Sequence, residues 1–261
     1  MKRAGILRLS LYQALLLGSL FAAWYLLTEN DILPPFFFGK PIVVLERVWN
    51  WFVSGKIYRH LGATLLETVC AFVSGTLVGL IIGLWLALSP LASALLDPYI
   101  KALNSMPRVI LAPIFSVWFG LGMLSKVALG FTLVVFIVFF NVYQGVKEVS
   151  PVVLANARML GANARQLLRT VYLPSATSWV FSSLHISVGM AFVGAVVGEY
   201  LGSAAGVGYL ILQAEGSFDI DTVFAGIVVL TMFALLLDTL VTFAERRLLR
   251  WRPTRAESEP L

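Results

Sequence analysis

The residues that could carry chemistry in this sequence are few and scattered. Two histidines, His60 and His185, stand alone, and the single cysteine, Cys70, lies in an apolar run. A histidine acting in catalysis needs an acid or base within hydrogen-bond reach, so both read as polar packing or interface residues. Cys70 reads as a small packing residue, and one cysteine builds no disulfide framework. No H-E-x-x-H or Cys/His cluster has metal-ligand spacing. No G-x-x-x-x-G-K-[ST] run could cradle the phosphates of ATP, and no G-x-S-x-G presents a serine nucleophile. Enzyme chemistry is not where these residues point.

The unusual stretch is "NARMLGANARQLLRTVYLPSA", residues 156–176, which sets three arginines between two long apolar runs. Ser150-Pro151 is a helix start, with Ser as N-cap and Pro at the first helical position. Gly161 permits the left-handed conformation that ends such a helix. "ANARQLLRTVYL" then forms a second helix that Pro174 stops. Leu160, Ala164, Leu168 and Val171 share one face of it, while Arg165 and Arg169 lie on another, joined by Arg158 if the helix were continuous. This amphipathic elbow could lie on anionic lipid or fit a groove on another protein.

The elements around the elbow are those of a membrane protein. Apolar residues make up 59% and charged residues 13%, against roughly 45–50% and about 25% in a soluble domain. About 20 apolar residues cross a bilayer, and six segments meet or approach that length: 10–27, 62–88, 103–119, 126–145, 179–200 and 222–244. The first is too long for a signal-peptide core and has no clear cleavage site, so it reads as a retained helix. In the connector after it, Val44, Val48, Trp51 and Phe52 of "PIVVLERVWNWFVSG" share a face away from Glu46, Arg47 and Asn50, which reads as an interfacial amphipathic helix.

Lys and Arg set the orientation. With the N-terminus inside, fourteen lie on the cytoplasmic side, including the elbow arginines and Arg250, Arg252 and Arg255. Five lie outside: Lys40, Arg47, Lys56, Arg59 and Lys126. The net charge of +5 reflects this excess rather than nucleic-acid binding. Ala71, Gly75, Gly79, Gly83 and Ala87, and separately Gly194, Gly198 and Gly202, form stripes of small residues at fourfold spacing. These read as close helix packing, or as a subunit interface or sliding surface. Glu67 is a carboxylate inside a span, a functional group by default. It stands about 8 Å of helix rise from the outer end, where snorkelling or pairing with Arg59 is the plainer account.

Ala157, Gly161 and Val171-x-Leu173-Pro174 resemble the cytoplasmic signature of bacterial ABC import permeases, E-A-A, three residues, G, nine residues, I-x-L-P. "LSPLASALLDPYIKALNSMPRVILAPIFSVWFGLGMLSK", "VVGEYLGSAAGVGYLI" and "LLDTLVTFAERRLLRWRP" look like the nitrate/sulfonate/taurine branch, so the likeness covers about 60–253. The signature's leading Glu is Ala155 here and its second position is Asn156, so the carboxylate that the signature would offer an ATPase is absent.

The resemblance implies an all-α integral membrane protein of six transmembrane helices with both termini cytoplasmic. The elbow between helices four and five becomes a coupling helix for a separate ATPase, through Ala155, Asn156, Ala157, Arg158, Gly161, Ala162, Arg165, Arg169, Leu173 and Pro174. It implies a first helix and connector over 1–61, a permease core over 62–250 and a tail over 251–261. It further implies a homodimer in the bacterial inner membrane with two ATPase copies holding ATP and Mg, an external solute-binding protein, lipid, and neither nucleic acid nor a cofactor on this chain. Candidate pathway residues are Asn104, Ser105 and Pro107 opening helix three, Asn141, Tyr143 and Gln144 ending helix four, and Glu199 ending helix five at the outer side. Gly206 and Gly208 join them, in a loop that could dip into the membrane as an outer gate. The solute implied is a small organic or inorganic anion such as a sulfonate or nitrate, although no intramembrane basic cluster stands ready for one, which leaves neutral and aromatic solutes open. The competing reading, a self-sufficient secondary transporter or channel, calls for internal repeats or paired midplane charges, and neither is evident. A membrane-embedded enzyme calls for a convergent acid/base or metal constellation, and none is evident.

Overall fold

Apolar runs longer than a bilayer's thickness leave the backbone one economical choice, because helices satisfy their own N–H and C=O groups where no water can. The computed structural model describes residues 2–248, which form helices joined by short turns. The tail and Arg250, Arg252 and Arg255 lie outside the described residues. The helices are α1 (Lys2–Glu29), α2 (Pro35–Phe38), α3 (Pro41–Val53), α4 (Lys56–Leu88), α5 (Pro90–Ser105), α6 (Ala112–Phe119), α7 (Met123–Lys147), α8 (Pro151–Met159), α9 (Ala164–Leu167), α10 (Leu173–Leu201), α11 (Val207–Gly216) and α12 (Ile220–Leu248). Five are long and apolar enough to cross a membrane. The pair Pro90–Ser105 and Arg108–Phe119, bent by 84°, accounts for a sixth span if taken as one.

The third expected span therefore differs from the sequence reading. Asn104 and Ser105 close α5 rather than open a helix, and Pro107 sits in the break before a 3-10 turn, Arg108–Leu111. Proline disfavours helical backbone at the residue before it, and Met106 is extended (φ −76°, ψ 131°). A second difference lies in the elbow. The chain does not stop at Pro174 but passes through a π-helical turn, Leu168–Tyr172, straight into α10. In that wide turn the Leu173 N–H donates to Leu168 O. A widened turn of this kind relieves the clash a proline ring makes with the carbonyl four residues back.

α4, α7 and α10 form the core. The stripe on α4 is buried against α7: a Cβ on Gly79 would lie 2.7 Å from Val135 O and one on Gly75 2.7 Å from Val134 Cβ. Gly194 of α10 presses on Gly130, and Gly198 lies against Lys126. Both stripes thus serve packing within the chain, at a helix separation no larger side chain allows. The buried residues between them are mostly Val134, Val138, Val142, Ala71 and Ala191.

The amphipathic connector is α3, and the face expected from its spacing is the face that packs. Val44 and Trp51 are buried, with Val48 and Phe52 beside them, against Val207, Leu210, Ala225 and Val229 of α11 and α12. α1 is largely exposed. Trp24 attaches it, its Nε1–H donating to Phe38 O at 3.2 Å and its ring tilted against Phe224 at 5.5 Å.

Candidate functional site

The elbow is built from two short helices around one left-handed residue. Pro151 occupies the first turn of α8, but the Ser150 side chain makes no capping bond. Gly161 has φ +82°, a conformation that glycine adopts without a Cβ penalty. The next helix starts with a capping box that the sequence reading passed over. Gln166 N–H donates to Asn163 Oδ1 at 2.9 Å, and Asn163 N–H donates to Gln166 Oε1 at 2.8 Å. N-x-x-Q after a helix-ending glycine was the available signal. Arg158, Arg165 and Arg169 are all exposed. The apolar face differs from the expected one: Leu167 is the buried anchor, Leu168 is half-buried, and Leu160 and Ala164 are exposed. Met159 and Leu160, 79% and 88% exposed, form an apolar tip at the turn.

At the opposite end of the bundle lies a cluster of Glu67, Lys126 and Glu199, the last two of which the sequence reading turns outward. Lys126, counted above as an outer-loop charge, is the fourth residue of α7 and is 0% exposed. Its ammonium donates to Leu121 O at 2.5 Å and Gly122 O at 2.9 Å. Glu67 of α4 and Glu199 of α10, 5% and 0% exposed, lie within hydrogen-bond reach of each other and within electrostatic range of Lys126. Glu67 therefore turns inward, rather than snorkelling out or pairing with Arg59. Glu199 does not face a partner outside: it accepts the Gly208 N–H at 2.8 Å. Beside it the Thr64 hydroxyl accepts the Val207 N–H at 3.2 Å, and the Gly206 N–H donates to His60 Nδ1 at 3.2 Å. Gly206 and Gly208 are thus backbone handles by which α11 is held onto α4 and α10. The missed signal was the distribution of charge: Glu67, Lys126 and Glu199 each stand at the same end of a span, on three different helices.

The remaining pathway candidates do not converge. Asn104 Oδ1 accepts from Arg108 at 2.6 Å, and the Arg108 guanidinium lies 4.3 Å from the Phe136 ring centre. Ser105 bonds its own helix, to Lys101 O. Asn141 donates to Ile137 O, Tyr143 shares a 2.6 Å bond with Ser93, and Gln144 donates to Glu148 at 3.1 Å. A three-helix core, an exposed basic elbow at one end and a helix held across the other make a multi-span helical component of membrane-protein type.

Comparison with known proteins gives that class its family. The chain belongs to the binding-protein-dependent transport system inner membrane components, whose family model matches residues 75–250 and so includes the whole elbow. It is 30% identical to the putative aliphatic sulfonates transport permease protein SsuC of Bacillus subtilis, over 96% of this chain and 91% of that protein. It is also 30% identical to the taurine transport system permease protein TauC of Escherichia coli, over 90% and 87%. The riboflavin transport system permease protein RibX of Chloroflexus aurantiacus is 32% identical over 84% and 81%. The inward-facing methionine ABC transporter MetNI matches the fold with a TM-score of 0.63 at 20% identity, covering 76% of this chain and 96% of that one. The chain is the permease subunit of a binding-protein-dependent ABC importer in the inner membrane.

Proposed function

We propose that this permease forms the solute path as a homodimer, with an ATPase docked on each elbow and a solute-binding protein on the opposite face. Both termini and the elbow lie in the cytoplasm in this reading, in keeping with the Lys and Arg bias. Taking the buried Lys126 off the outer side strengthens that bias. Residues 62–250 act as the permease core, 1–61 as an added helix and connector, and 251–261 as a cytoplasmic tail. ATP and Mg reside on the partner. The solute is a small sulfonate-type organic anion or an inorganic anion such as nitrate, a class suggested by relatives named for aliphatic sulfonates and taurine.

One observation carries the coupling role: the exposed apolar tip of Met159 and Leu160, flanked by Arg158, Arg165 and Arg169. Two large apolar side chains held in water at a rigid turn suit a socket on another protein, and the arginines suit acidic groups around its rim. The Ala155–Ala157, Gly161–Ala162 and Leu173-Pro174 segments set the angle at which the tip is presented. The test is co-purification from detergent with the ATPase encoded beside the gene, comparing the native chain with Gly161→Pro. Binding by the native chain and its loss in an inserted variant supports the docking role. Partner-free transport by the purified chain would overturn it in favour of a secondary transporter.

A further inference from the structure

A cavity of about 270 Å³ opens between α10 and α12, walled by apolar side chains such as Val188, Phe192 and Leu235 together with Thr231. One end of it is charged. His185 Nε2 lies 2.7 Å from Asp238 Oδ1, and Glu245 comes to 4.0 Å from the other ring nitrogen. His185 falls inside the apolar stretch Ser183–Leu201, and Asp238 inside Ile220–Phe243. Yet the two side chains are 40% and 58% exposed. A carboxylate so placed cannot face hydrocarbon without a large cost. The cavity volume falls just below the usual range for a small-molecule site, about 300–1,000 Å³. Glu245 lies seven residues beyond Asp238 on the same helix, two turns on and on the same face, so the charged track leads toward the elbow end of the bundle.

The sign of the charge is the informative part. Asp238 is the one carboxylate in the lining, and Glu245 adds a second just beyond it on the far side of His185, so acidic groups outnumber the single imidazole. Among the described residues no Lys or Arg pairs with Asp238 or Glu245. Arg247 lies over the Phe243 ring at 5.4 Å, and Arg108 is engaged with Phe136 of α7. Small-residue packing cannot be the reason for this arrangement, since the helices part here instead of closing.

We infer that this cavity is a water-filled station on the solute's path, selecting solutes that carry an ammonium or N–H donor group over bare anions. The inference rests on the reading that the chain forms the path, and it narrows the solute class. A zwitterion such as an amino-bearing sulfonate, or a cationic heterocycle, meets apolar walls for its skeleton and a carboxylate for its nitrogen. An inorganic anion such as nitrate meets repulsion. The exposed pair gives a shallow contact, as a site that must release its solute requires.

The test uses the assembled transporter, with ATPase and binding protein, in membrane vesicles. Val188→Cys and Thr231→Cys are made separately in a Cys70→Ala background. Each is treated with two small methanethiosulfonates, one bearing trimethylammonium and one bearing sulfonate, with rates referred to a free thiol in the same buffer. Both cysteines should react, with a preference for the cationic reagent of about tenfold, the lower end of what focused charge in a cleft produces. Asp238→Asn should remove most of that preference and leave the thiols reactive. Unreactive cysteines, a preference no different from the free thiol's, or one that survives Asp238→Asn would overturn the station. Co-purification of the ATPase with each variant is scored alongside: a complex that assembles while its cavity thiols stay inert defeats this inference and leaves the permease reading standing.

Discussion

The Gly208 N–H donates to the buried Glu199 carboxylate at 2.8 Å, and Gly206, with φ +108°, has its α-carbon pressed against the same carboxylate. A side chain at 206 would meet both a disfavoured backbone conformation and the Glu199 carboxyl group. Gly206→Ala should therefore destabilise the permease by about 2–4 kcal/mol, the range of overpacking and backbone strain combined. Gly120 has φ +75° but open space around it, so Gly120→Ala should cost only the backbone term, about 1–2 kcal/mol. Thermal unfolding of the purified variants measures the difference; equal losses would mean that Glu199 does not hold the segment.

Lys126 is buried and acts electrostatically on the buried Glu67 and Glu199, which lie within hydrogen-bond reach of each other, so removing its charge takes away the positive group nearest that acidic pair. Lys126→Met also leaves the Leu121 and Gly122 carbonyls without its ammonium and should cost about 1–3 kcal/mol, the scale for buried polar groups that lose a partner. Adding Glu199→Gln to it should recover part of that loss, because the amide no longer needs a counter-charge. Folded yield in detergent, compared across the two single variants and the double, gives the coupling. Simple additivity would count against a shared cluster.

Long apolar runs are legible in the sequence, and the buried charges inside them are not. The spans of α4, α7, α10 and α12 were legible because a bilayer demands long apolar runs, and α3 because its face repeats at helical spacing. Lys126 was not legible, since a lysine next to "GLGMLS" reads as a loop residue until the chain shows that α7 begins at Met123. Glu199 was assigned to the surface because it ends a span, and only the return of α11 over it makes it interior. The break at Pro107 was signalled by the proline but overridden by the apolar run around it. In the elbow, Gly161 was read correctly from its type. The passage through Pro174 was not, because a π-helical turn is a tertiary adjustment that no short-range propensity encodes.

Gly79 and Gly62 lie on the same helix and differ in what surrounds them. A Cβ at 79 would stand 2.7 Å from a backbone oxygen of α7, whereas one at 62 meets nothing within 4 Å. Gly79→Ala should therefore lower stability by about 1–3 kcal/mol through overpacking. Gly62→Ala should be neutral or raise it by up to about 1 kcal/mol through helix propensity. Unfolding of both variants in the same detergent decides; a tolerated Gly79→Ala would show that α4 and α7 separate without loss.

The elbow makes the sharpest functional prediction because its exposed residues support little of the fold. Met159 and Leu160 are 79% and 88% exposed, so Leu160→Asp should change stability by no more than about 0.5 kcal/mol, the usual limit for surface positions. It should nonetheless abolish most ATPase association, since a charge placed on an apolar docking tip is desolvated on binding without a partner. Arg165→Glu with Arg169→Glu should weaken association through repulsion at the rim and respond to salt, whereas the Leu160→Asp defect should not. Asn163→Ala supplies the contrast: it removes the capping box at 2.9 Å and 2.8 Å and should cost about 1 kcal/mol of local stability. It leaves the tip's chemistry intact, so its effect on association should be partial. Binding of the purified ATPase to each variant in nanodiscs, at low and high salt, reads all three. Normal association by Leu160→Asp would remove the tip from the docking site.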